Sequence, residues 1–109
     1  MISMKEIQTN EEWQALREQS KSQPLFLLKH STTCPISAAA YHAFDAVTTE
    51  LPKYFLKVQD SRPVSNAIES DLGIRHESPQ LFLLKDGEAV WQATHSAINE
   101  SSIQTALSE

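Results

Sequence analysis

The amino-acid sequence predicts an α/β domain in which a central four-stranded mixed sheet is flanked by helices, in the order α β α β α β β α. Three observations lead there. Two strand-sized apolar runs, at residues 25–28 and 81–84, are separated by segments whose apolar residues recur at helical spacing. Asp86-Gly87 lies between two extended stretches, and this dipeptide readily takes the positive φ values of a tight hairpin turn. Helices alternating with strands, followed by a hairpin, imply a mixed sheet covered on both faces.

Each element has its own signal. Thr9-Asn10-Glu11-Glu12 can cap a first helix, with Trp13 and Leu16 inward and an end before residues 22–24. Leu25-Phe26-Leu27-Leu28, bounded by Pro24 and by polar residues 31–33, reads as a buried strand. After Cys34, apolar residues at Ile36, Ala40, Phe44, Val47 and Leu51 form one face of a helix that stops near Pro52. Residues 54–58 make a short second strand. Ser61-Arg62-Pro63 resembles a cap with proline in the first turn, followed by a buried stripe at Val64, Ala67, Ile68 and Leu72 and a glycine stop at Gly73. Residues 81–85 and 88–94 form the hairpin about Asp86-Gly87, and a closing helix begins near Asn99 with Ile103 and Leu107 inward.

With 109 residues the chain fits one domain spanning residues 1–109, large enough for a single core. Hydrophobic residues at 40% and charged residues at 21% are the proportions of an ordinary folded domain. A net charge of -5 disfavours nucleic acid and anionic membrane surfaces as partners. Residues 1–7 have no apolar leader core, and no apolar run approaches membrane-spanning length, so a cytoplasmic location is expected. One cysteine forms no internal disulfide, in keeping with a reducing compartment. The histidines at 30, 42, 76 and 95 have no metal-ligand spacing, and no metal site is expected.

Right-handed crossovers place the end of the first predicted strand, and so Cys34, at the C-terminal edge of the sheet, where sites concentrate. A free cysteine must ionise to exchange disulfides, and the unpaired N–H groups of a helix start favour the anion. Pro35 suits the first helical position, which makes Cys34 the cap; Ser37, one turn on, is placed to donate its hydroxyl to the sulfur. The plainer reading of a lone cysteine is a small buried hydrophobe, and of Ser37 an ordinary first-turn residue.

The motifs Thr33-Cys34-Pro35-Ile36-Ser37, Gly73-Ile74-Arg75-His76-Glu77-Ser78-Pro79 and Lys85-Asp86-Gly87, in this order of elements, resemble the thioredoxin-like superfamily and, within it, the monothiol bacilliredoxin family (YtxJ-type). The resemblance covers nearly the whole chain. It implies a cytoplasmic thiol–disulfide oxidoreductase of CxxS type, acting in the bacillithiol system on S-bacillithiolated proteins, with bacillithiol as co-substrate and no bound cofactor. Cys34 and Ser37 would be the catalytic pair. Thr33, Pro35, Ser78 and Pro79 would contact substrate, Pro79 in the cis form and Ser78 through its backbone.

Bacillithiol carries a malate group, so Arg75 and Lys29 are candidate carboxylate binders, against the alternative of plain surface charge. His30 is either a strand-end packing residue or a charge that assists the thiol. Residues 95–99 match the region that meets low-molecular-weight thiols in glutaredoxin-like folds, which makes Ser96 a candidate substrate contact; Ser96 and Asn99 stand there in place of the glutaredoxin Gly-Gly-x-Asp, which argues against glutathione as co-substrate. A monomer or weak dimer is expected. The alternatives are a monothiol glutaredoxin-like iron–sulfur carrier, disfavoured because Pro35 stands where those proteins have glycine, and a thioredoxin-like binding module without catalysis.

Overall fold

In the computed structural model, which describes residues 4–108, β2 (Leu25–His30) is the centre of the sheet. It pairs in parallel with β3 (Lys53–Lys57) on one side and antiparallel with β4 (Gln80–Lys85) on the other. The sheet therefore buries β2 on both faces, which explains why its four leading residues are all apolar. β5 (Glu88–Thr94) extends the sheet beyond β4, and the far edge is β1 (Lys5–Glu6), parallel to β3, giving the order β1-β3-β2-β4-β5.

Five strands replace the four expected. β1 is two polar residues long, too short for any alternation to register, and Ile7 anchors it through a 2.8 Å backbone hydrogen bond to Phe55 and a buried side chain.

Four helices cover the sheet: α1 (Asn10–Gln19) and α3 (Arg62–Leu72) on one face, α2 (Pro35–Ala46) and α4 (Glu100–Leu107) on the other. Alternate residues of β2 divide between the two faces. Leu25 and Leu27 join Trp13, Leu16 and Ile68 beneath α1 and α3, while Phe26 and Leu28 join Phe44, Ile103 and Ala106 beneath α2 and α4. No helix among the described residues is long and apolar enough to cross a membrane.

The helix starts follow their caps. Thr9 and Glu12 form the reciprocal capping box that opens α1, and Asn99 with Ser102 does the same for α4. Ser61 precedes α3 without a side-chain capping bond. Gly73 ends α3 at φ +66, and Asp86 and Gly87 turn the β4–β5 hairpin at φ +56 and +78. That turn is tied to the end of α1, where Ser20 Oγ accepts from Gly87 N at 2.8 Å and the Ser20 carbonyl accepts from Asp86 N at 2.9 Å.

α2 departs from its expected form at both ends. It stops at Ala46 rather than near Pro52, because Val47 is extended (ψ 127) and the buried Lys53 amine donates to the carbonyls of Phe44, Asp45 and Val47. The β-branched run Val47-Thr48-Thr49 gives the helix no reason to continue. Ile36, expected inward, is 48% exposed, and Ser37 takes the buried place in the first turn.

Candidate active site

Cys34 caps α2 and is partly exposed, with extended backbone (φ -106, ψ 123) and Pro35 as the first helical residue. Its carbonyl accepts the first helical bond, from Ala38 N at 3.0 Å. The N–H groups of Ile36 and Ser37 belong to the unpaired set at the start of a helix, on the end that favours an anion. Cys34 is thus the N-cap residue, and its sulfur makes no capping hydrogen bond to these groups.

The loop leading to Cys34 is held from two directions. Gln59, between β3 and α3, accepts from Thr32 N at 3.1 Å and donates from Nε2 to Ser31 Oγ at 2.7 Å and Thr33 Oγ1 at 3.2 Å. The sequence reading did not single out Gln59, and a contact between residues 26 to 28 apart leaves no local signal. From the other side, Ser37 Oγ accepts from Ser31 N at 2.8 Å and pairs with His30 Nδ1 at 3.0 Å.

This revises the expected part of Ser37. Its hydroxyl is fully buried and serves the loop and His30, rather than reaching out to the sulfur. His30 itself packs against Tyr41, with ring centroids 4.9 Å apart. Burial lowers its pKa below the ordinary histidine value, hydrogen bonding with the Ser37 backbone works the other way, and the charges of Lys57 and His42 add to the lowering. A neutral imidazole is therefore the resting form near pH 7, which favours the packing role over that of a charge beside the thiol.

Opposite the Cys34 loop, the segment 73–79 runs from the end of α3 into β4. Gln80 pairs with Lys29, so Ser78 and Pro79 fall at the end of the sheet from which the Cys34 loop leaves β2. The Ser78–Pro79 peptide bond is cis, and the Pro79 carbonyl accepts from His95 N at 3.0 Å. Ser78 Oγ is enclosed and has no hydrogen-bond partner among the described residues. Arg75 is exposed and lines a polar groove of about 340 Å³ with Ile74, Glu77, Gln80, Gln92 and Thr94. Ser96 is exposed on the short 3-10 turn His95–Ala97, which packs against α2.

Lys29 is a correction. Strand alternation sends its side chain to the α1/α3 face, away from α2, where it is fully buried. Its amine donates to the Ser65 carbonyl at 3.1 Å and meets His76 Nδ1 at 3.1 Å. It is neither surface charge nor open to a ligand carboxylate. The structure thus gathers Thr33, Cys34, Pro35, Ser78, Pro79 and Ser96 at one end of the sheet, places Arg75 on the flank and removes Lys29.

Fold and site together define a thiol oxidoreductase of the thioredoxin fold. The chain belongs to the monothiol bacilliredoxin BrxC family, whose pattern matches residues 5–103. A solved structure described as a candidate oxidoreductase with a thioredoxin fold is 38% identical, with a TM-score of 0.87 over 95% of this chain and 93% of the other. Thioredoxins of Fasciola hepatica (TM-score 0.78, covering 96% and 97%) and Schistosoma mansoni (0.79, covering 97% and 94%) are each 14% identical and share the fold.

Proposed function

We propose that the protein is a monothiol thiol–disulfide oxidoreductase that removes bacillithiol from S-bacillithiolated proteins in the cytoplasm. The observation that carries this reading is the chain's one cysteine, partly exposed at the cap of α2, in a member of the bacilliredoxin family. With no second cysteine, the chain cannot release a substrate by closing an internal disulfide.

The Cys34 thiolate attacks the bacillithiol sulfur of the mixed disulfide. A sulfur–sulfur bond forms to Cys34 as the old one breaks, and the protein cysteine leaves as a thiolate that takes up a proton. A second bacillithiol thiolate, or a partner redoxin, then attacks the Cys34 adduct and returns Cys34 to the thiolate. Bacillithiol enters as co-substrate, and no bound cofactor is required. Thr33 and Pro35 border the thiol, the Ser78 backbone beside Pro79 offers hydrogen bonds to an extended disulfide segment, and Ser96 lies across the same end. Arg75 is the exposed cation suited to the malate carboxylates of bacillithiol. The protein works as a monomer or weak dimer.

Intact-mass measurement tests this reading. Oxidised bacillithiol should add one adduct at Cys34, faster than oxidised glutathione does, and reduced bacillithiol should remove it. Cys34→Ser should carry no adduct and restore no bacillithiolated protein. An inert thiol toward both disulfides would leave only the non-catalytic binding module.

A further inference from the structure

The segment 73–79 is held by a partly buried polar cluster that the exchange chemistry does not use. Lys29 projects from β2 under α3 and reaches His76 Nδ1 at 3.1 Å and the Ser65 carbonyl at 3.1 Å. Ser65 Oγ lies 3.3 Å from the same ring nitrogen, and Glu69 Oε2 accepts from His76 N at 2.7 Å. A lysine ammonium has donors only, so His76 Nδ1 must be the acceptor and its proton must sit on Nε2. One residue thus fixes the segment through both its ring and its backbone, two positions before Ser78.

We propose that Lys29 and His76 are positioning residues for disulfide substrates, forming a latch that holds Ser78 and Pro79 at the Cys34 end of the sheet and opens when His76 takes a second proton. The inference rests on the disulfide-exchange reading above. Protonation removes the Nδ1 lone pair and sets an imidazolium against an ammonium. The other charged groups facing the pair are Arg62 and Glu69 from α3 and Glu77 from the segment itself. Glu69 offsets part of the repulsion, whereas Arg62 adds to it. The neighbours of Lys29 across the sheet, Leu56 and Gln80, are uncharged. Burial first, then Lys29 and Arg62, lower the His76 pKa, with Glu69 and Glu77 opposing, which keeps the latch closed at neutral pH. Burial brings Lys29 itself to about 8, so the amine remains mostly a cation through the range where His76 titrates.

The test compares two reactions of Cys34 in the full-length chain. One is alkylation by iodoacetamide, which needs only the thiolate. The other is exchange with a peptide whose cysteine is disulfide-bonded to 2-nitro-5-thiobenzoate, which must lie along Ser78 and Pro79. The ratio of the two rates cancels the thiolate fraction and should fall as the pH drops from about 7 to about 5, by up to about tenfold per unit below the free-histidine value. His76→Leu should lower the ratio about tenfold at neutral pH, chiefly through KM for the peptide, as expected when a positioning group is lost. His76→Asn keeps an acceptor near the Nδ1 position without titrating, so it should keep the wild-type ratio and make it independent of pH. Lys29→Met should resemble His76→Leu. A His76→Asn ratio that still follows the wild-type pH profile, or a His76→Leu ratio equal to wild type, would overturn the latch alone. Failure of the wild-type chain to exchange with the peptide at all would overturn the exchange reading and the latch with it.

Discussion

At the scale of single residues, the loop that carries Cys34 is held by side chains from outside it. Ser37 is the clearest case, because its buried hydroxyl satisfies Ser31 N and His30 Nδ1 together. Ser37→Ala leaves both partly buried groups without that partner and should cost about 1–3 kcal/mol in urea denaturation, while Cys34 still forms its adduct. His30 and His76 both have pKa values lowered on folding, each by burial first. Below the ordinary value of 6.5 the unfolded chain therefore binds more protons than the folded one. Their contribution to stability is intact above pH 6.5 and is lost as the pH falls through that value toward the folded pKa values. Urea midpoints should decline from about pH 7 toward about pH 5, and the double variant His30→Asn/His76→Asn should flatten that decline. The sequence marked Cys34, Pro35 and the 78–79 pair because they sit at element boundaries. It could not show that Ser37 turns inward or that Lys29 lies under α3, since both outcomes are set by strands and helices far away in the chain.

At the scale of elements, α2 shows how a helix can end without a terminating residue. Its last carbonyls, those of Phe44, Asp45 and Val47, are collected by the Lys53 amine, and Lys53 is itself buried at the first position of β3. Lys53→Met keeps the length of the side chain and deletes the donor. It should destabilise the chain by about 2–4 kcal/mol in urea denaturation, because the carbonyls of Asp45 and Val47 lose this donor and that of Phe44 keeps only Val47 N. The buried spacing of Ala40, Phe44, Val47 and Leu51 reads as one continuous helix, yet Val47 reaches the core from extended backbone and Leu51 from the non-helical segment beyond it. Periodicity reports which side chains are inward and says nothing about a backbone break that keeps them inward. The hairpin and the α3 stop were legible because Asp86, Gly87 and Gly73 adopt the positive φ values that few other residues accept. β1 was not, since two residues at a sheet edge carry no pattern.

At the scale of the whole molecule, two cores share one strand. Trp13 belongs to the core beneath α1 and α3, and Trp91 packs against the one beneath α2 and α4. Because β2 feeds side chains alternately into both, neither core can dissolve while the other persists. Variants retaining only Trp13 or only Trp91 should give coincident unfolding transitions by fluorescence, as two-state behaviour demands. The overall α/β arrangement was readable from the apolar runs and the hairpin, whereas the order of strands across the sheet depends on pairings between distant segments. The central position of β2 also governs how the chain must be made. Leu28 lies beside Phe55 on one side and Leu81 on the other, so synthesis presents the apolar run of β2 long before its second neighbour exists. On a ribosome, that strand leaves the exit tunnel with one edge open until the β4–β5 hairpin follows. Until then the nascent chain exposes a sticky edge of the kind that chaperones are built to shield.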